Sequence, residues 1–118
     1  METHRLVLPE DLNQYGALFG GRLLAWVDEA CWIAASLDHP ECRFVTIAMD
    51  EVVFRHSVRE GTILTIVSEK ANTGTTSVTY EVRVFRGKPD EGEPIFTTLV
   101  TFVNLSETGK KSPLIIPS

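Results

Sequence analysis

Cysteine and histidine are scarce in this chain. There are two cysteines, Cys31 and Cys42, and three histidines, His4, His39 and His56, among 118 residues. The cysteines form no CxxC pair and share no metal-ligand spacing with the histidines, which speaks against a metal site and against a disulfide framework. Two reduced thiols are the expected state. No apolar run is long enough to span a membrane. The opening "METHRLVLPED" has no apolar signal-peptide core, and the expectation is a cytoplasmic protein. Positive charge is short too: the formal net charge is −5. A general nucleic-acid binder needs a basic footprint, so that class falls away. An anionic small ligand does not, because a few local Lys and Arg residues can hold one. Internal repeats and linkers are also missing, so residues 1–118 read as one domain.

The hydrophobic share of 43% is that of an ordinary globular protein. A chain this short buries a core with little to spare, so part of its apolar surface is expected to need a partner chain. "HRLVL" (4–8) reads as a short strand, and "PEDLNQYG" after it is loop chemistry. A helix is predicted over 21–37 and is stopped by "DHPE", where Pro40 cannot continue the ladder. Strands are predicted over 44–54, 62–72, 76–86 and 95–105. In the third of these, Val78, Tyr80, Val82 and Val84 point one way and Thr79, Glu81, Arg83 and Phe85 the other, the alternation of a half-buried antiparallel strand. "GKPDEGEP" (87–94) is a solvated hairpin loop. The stretch from about 106 to 118 is a polar, Pro-punctuated tail that reads as loose or docked on a neighbour. One strand, one helix and four strands pack most economically as an α+β fold in which a curved five-stranded antiparallel sheet wraps around one long central helix.

The helix is apolar on nearly every side, as a fully buried helix would be. Yet at about 100° per residue Asp28 falls on a stripe with Leu24, Cys31 and Ala35. Arg22, Trp26, Glu29 and Ile33 form the opposite stripe, where Glu29 is expected to pair with Arg22. A carboxylate on an apolar stripe either bonds a nearby donor for structural reasons or belongs to an active site, where such groups concentrate. The helix alone leaves both open. Just before it, "FGG" (19–21) places two glycines at the helix N-terminus, where backbone N–H groups and the helix dipole favour an oxyanion or a polarised carbonyl. A tight turn explains the same letters. Asn13, in the preceding loop, is a neutral donor and acceptor or simply a turn residue.

Taken together, "LPEDLNQYGALFGGRLLAWVDEA" (8–30) resembles the signature of the hotdog-fold acyl-CoA thioester hydrolases, in the branch of the bacterial YciA-like enzymes and the brain-type cytosolic acyl-CoA hydrolase. Asn13, Gly16, Phe19, Gly20, Gly21 and Asp28 stand at that family's spacing. "VTIAMDEVVF" and "GTTSVTYEVRV" match two of its strands. The resemblance implies hydrolysis of acyl-CoA to a free acid and CoA, with CoA part of the substrate and no cofactor. It implies that Asp28 is general base or nucleophile, that Asn13 from the opposite subunit positions water or the carbonyl, and that N–H groups around Gly20 and Gly21 hold the oxyanion. It further implies a homo-oligomer, a dimer assembled into a hexamer or tetramer. CoA phosphates call for basic residues, and Arg55, His56 and Arg59 are the first candidates. The family's proline after this basic residue is replaced here by His56-Ser57. Thr76 and Ser77 are candidates for the pantetheine arm. Phe54, Trp26 and Trp32 read as core, the alternative being acyl-pocket residues whose size limits chain length. The competing readings are a non-catalytic acyl-CoA-binding protein on the same fold and a β-rich interaction module. A dehydratase of this fold is disfavoured because no histidine lies in the helix.

Overall fold

The alternation around Val78–Val84 builds the middle of the sheet. The structure is a computed structural model that describes residues 1–89 and 92–116. In chain order its elements are β1 (Glu2–Leu6), a 3-10 turn (Pro9–Asp11), α1 (Gly20–Asp38), β2 (Phe44–Asp50), β3 (Ile63–Thr73), β4 (Ser77–Arg86) and β5 (Phe96–Asn104). The strands form one antiparallel sheet in the order β1-β3-β4-β5-β2, and α1 packs on it. Val78, Tyr80, Val82 and Val84 are buried as the alternation predicts. Phe85, assigned to the outer face, is buried as well. This is the α+β arrangement the sequence led us to expect. Of the predicted 87–94 loop, residues 90 and 91 lie outside the described residues.

Leu23, Val27, Ala30, Cys31 and Ala34 turn one face of α1 toward Phe44, Tyr80, Phe96 and Phe102, with the spacing of a helical stripe. The helix is not buried all round, contrary to the expectation from its composition. Trp32, Ile33 and Leu37 are 45%, 38% and 69% exposed, because the sheet covers only one side of it. Trp26 is core as predicted, whereas Trp32 and Phe54 are half exposed. Trp32 donates its indole N–H to the Phe44 carbonyl at 3.1 Å.

Two boundaries differ for identifiable reasons. β1 ends at Leu6, not Leu8, because the Asp11 carboxylate takes the Leu8 N–H at 2.9 Å and turns the chain. β2 ends at Asp50, not Phe54, because Glu51 adopts a left-handed φ of 57° that leaves the ladder. β2 is an end strand of the sheet, bonded to β5 on one side. As far as it is described, the tail is tied to its own chain. Asn104 donates to the carbonyls of Ser112 and Pro113, and Leu114 N–H bonds the Thr75 carbonyl. Pro117 and Ser118 lie outside the described residues.

Candidate active site

Loop 8–19 delivers the helix start. Asp11, buried, holds the Leu8 N–H and pairs with Arg22 at 3.4 Å, and its carbonyl accepts the Phe19 N–H. Arg22 therefore pairs with Asp11 and not with Glu29, as the helix spacing had suggested. Glu29 binds Arg5 of β1 at 2.6 Å. Within the loop, the Asn13 side-chain carbonyl accepts the N–H groups of Tyr15 (2.9 Å) and Ala17 (3.1 Å). Gly16, at a φ of 81°, completes that turn. Asn13 thus has a turn role in this chain, and no acceptor among the described residues takes its amide hydrogens.

Gly20 and Gly21 open α1 with Phe19 as the cap residue. The Arg22 and Leu23 N–H groups bond the Phe19 carbonyl. The first two N–H groups, those of Gly20 and Gly21, have no carbonyl of the helix to reach. Both glycines lie under aromatic rings: a Cβ on Gly20 would stand 3.1 Å from the Phe54 ring, and one on Gly21 3.1 Å from the ring of Phe19.

Asp28 is half buried on the predicted stripe, with Cys31 and Ala35 fully buried beside it. Its Oδ1 accepts the Thr46 hydroxyl at 2.6 Å, and no donor among the described residues bonds Oδ2. Thr46 comes from β2, just before a bulge that makes Ala48, rather than Ile47, the next residue paired with β5. Bulges re-aim side chains in this way. Phe44 is buried before the bulge and Met49 packs against the core after it, while Thr46 is exposed and meets the helix through its hydroxyl. Both cysteines are free. Burial, reinforced by the Asp28 charge, pushes the Cys31 thiol up to about 12, which keeps it protonated and unreactive near neutral pH.

The structure separates two groups that the sequence reading set side by side. Gly20 and Asp28 are eight residues apart on one straight helix, about 12 Å along its axis. The N–H groups of one chain and the carboxylate of the same chain do not reach one carbonyl. The phosphate-binding candidates separate too. Arg55, His56 and Arg59 are all exposed, on the segment after β2. His56 shares a cleft of about 380 Å³ with Arg86, Lys88 and Glu93, and Arg86 is fixed by a 2.9 Å bond to the Ser57 carbonyl. Thr76 and Ser77 sit at the other end of β4, roughly 30 Å away along the strand. Arg86, Lys88 and Thr46 carry no mark in the sequence. Only the strand pairing puts them where they are.

Residues 15–93 match the family described as the Thioesterase superfamily. The chain belongs to this superfamily. It is 33% identical over 104 residues to an uncharacterized acyl-CoA thioester hydrolase of Zymomonas mobilis, covering 86% of this chain and 69% of that one. It spans less than two thirds of the length of several other curated relatives. Among solved structures it is similar to a hexameric hotdog fold thioesterase of Campylobacter jejuni. That match has 37% identity and a TM-score of 0.82, over 96% of this chain and 88% of that one. It is also similar to an acyl-CoA hydrolase of Staphylococcus aureus solved with butyryl coenzyme A and coenzyme A. Here identity is 28% and the TM-score 0.86, over 97% and 70% of the two chains. The thioesterase fold is the hotdog fold expected from residues 8–30. Among the described residues of this thioesterase-family chain, no helix is long and apolar enough to cross a membrane.

Proposed function

We propose that this chain is an acyl-CoA thioesterase that hydrolyses acyl-CoA to a free carboxylic acid and CoA, with residues 1–118 forming one such domain and 106–118 its tail. The observation that carries the reading is the Asp28 carboxylate, set on an apolar stripe, oriented by Thr46 through one oxygen and open at the other. As general base, Asp28 takes a proton from water while the hydroxide oxygen adds to the thioester carbon. The C–S bond then breaks, and the departing thiolate receives the proton. As nucleophile, Asp28 adds directly to that carbon, expels CoA thiolate, and is freed when water cleaves the resulting anhydride. In either route negative charge collects on the carbonyl oxygen. Two N–H groups at a helix N-terminus are suited to hold it.

The 12 Å between Gly20 and Asp28 supports a site shared by two chains. One subunit supplies Asn13, Gly20 and Gly21, and the other supplies Asp28 with its Thr46. The unpaired edge of β2, where Val45 and Ile47 are 41% and 54% exposed, and the exposed Trp32–Leu37 side of α1 are surfaces for a second copy. These surfaces support a homodimer, and the hexameric thioesterases that the chain resembles support its further assembly into a hexamer, with a tetramer as the alternative. The reaction draws on water and the chain's own groups. Two free thiols suit a reducing cytosol.

Arg55, His56 and Arg59, joined by Arg86 and Lys88, are the proposed phosphate grip, with Thr76 and Ser77 of another subunit on the pantetheine arm. Arg55→Ala is expected to raise KM for acyl-CoA by about tenfold and leave kcat within about twofold, the loss of one charge-assisted contact. An unchanged KM removes Arg55 from the site. Thr46→Val is expected to lower kcat about tenfold with little change in KM, and Thr46→Ser, which keeps the hydroxyl, to restore it. Equal losses in both variants would assign Thr46 to packing. The reaction itself is tested by thiol release from acyl-CoAs between acetyl and palmitoyl. Release at some chain lengths supports the hydrolase. No release, with a melting temperature raised by acyl-CoA, identifies a binding protein instead.

A further inference from the structure

The left-handed turn at Glu51 has a second effect. Residues 51–57 leave the sheet, are all exposed, and rejoin the core only at Val58. Phe54 lies in the middle of this segment. Its ring is half exposed, yet its position is defined by two contacts. It packs on the buried Phe96 ring at a centroid distance of 5.4 Å and a tilt of 37°. Its edge lies 3.1 Å from the point a Gly20 Cβ would occupy. In a helix the Cα–Cβ direction tilts toward the N-terminus, the direction in which the unbonded N–H groups of the first turn also point. The ring and the Gly20 and Gly21 donors therefore border the same space.

We propose that Phe54 determines which acyl groups the site accepts, by walling the space in front of the Gly20 and Gly21 N–H groups and selecting against branching next to the carbonyl. The inference rests on the thioesterase reading above. A carbonyl oxygen bound to those N–H groups brings its carbon, and the next carbon of the acyl chain, against the ring. A straight chain presents one methylene there. A branched chain presents an added methyl, which has to enter volume the ring fills, and packed volume resists an extra methyl. Gly20 belongs to the same device, since any side chain at that position would push the ring away or occupy the carbonyl's place.

The test compares kcat/KM for butyryl-CoA and isobutyryl-CoA, which carry the same number of carbons, in the wild type, Phe54→Ala and Phe54→Leu. The wild type is expected to favour butyryl-CoA by about tenfold or more, the range one misplaced methyl commands in a fitted pocket. Phe54→Ala is expected to bring the ratio within about threefold and Phe54→Leu to fall between. Each ratio is read on one preparation, so partial unfolding of a variant cancels from it. A ratio near one in the wild type, or one unchanged in both variants while butyryl-CoA is still hydrolysed, overturns the role of Phe54 and leaves the thioesterase standing. Absence of thiol release by the wild type from every acyl-CoA removes the thioesterase reading and this inference with it.

Discussion

Asp28→Asn is expected to fold as the wild type does and to lose about 10³-fold in kcat, within the range of a lost acid–base or nucleophilic group. The amide has the shape of the carboxylate, and its carbonyl oxygen can still accept the Thr46 hydroxyl that now bonds Oδ1 at 2.6 Å. The packing of the stripe around Cys31 and Ala35 is untouched. What the amide cannot do is take a proton from water or attack a thioester. Thiol release and a thermal melt, measured on the same preparation, separate the two effects. A folded Asp28→Asn protein with near-wild-type turnover would sink the mechanism. A second consequence concerns Cys31. The Asp28 charge contributes to holding the thiol up, so the substitution removes one of the causes of its inertness while burial, the larger cause, stays.

Much of the fold was legible because the chain states its periods clearly. The β4 alternation fixed the buried set 78, 80, 82 and 84, and Pro40 fixed the helix stop to within a residue of Asp38. The misreadings have two origins. Apolar letters do not say which chain covers them. Composition puts Trp32 and Ile33 in a buried helix, and the sheet of a single chain leaves them exposed, with Leu37 beyond them. Phe54 was extended from β2 because its neighbours Val52 and Val53 are β-formers. A non-glycine residue in the left-handed region, Glu51, ends the strand four residues earlier, and no letter marks that turn.

The site divides similarly. Asp28 announced itself as a charge on an apolar stripe. Thr46 had no signal, because a threonine in a strand is ordinary and only the packing of β2 beside the helix brings its hydroxyl to Asp28. The separation of Gly20 from Asp28 was available all along: eight residues of helix are about 12 Å. A motif read as letters compresses that distance, and a motif placed on a helix restores it. On the proposed reading, two copies of the chain bring the donors to the carboxylate.

Asn13→Asp carries that argument to a measurement. The carboxylate keeps an acceptor for the Tyr15 and Ala17 N–H groups, so the turn at Gly16 is expected to persist and the melting temperature to stay near that of the wild type. The substitution removes the amide hydrogens, and kcat is expected to fall about 10²-fold, the cost of one positioned donor. Asn13→Ala loses the turn bonds as well, and is expected to cost about 1 kcal/mol of stability besides. A fully active Asn13→Asp protein would leave Asn13 as a turn residue only. Mixing is the sharper test. If Asn13 and Asp28 of different subunits meet in one site, unfolding and refolding Asn13→Asp together with Asp28→Asn creates mixed dimers in which one of the two sites is wholly native. Equal mixing then returns about a quarter of wild-type activity, from the symmetry of a two-fold dimer. If both residues act within one chain, every site in the mixture carries a defect, and the mixture is expected to be no more active than the average of its parents.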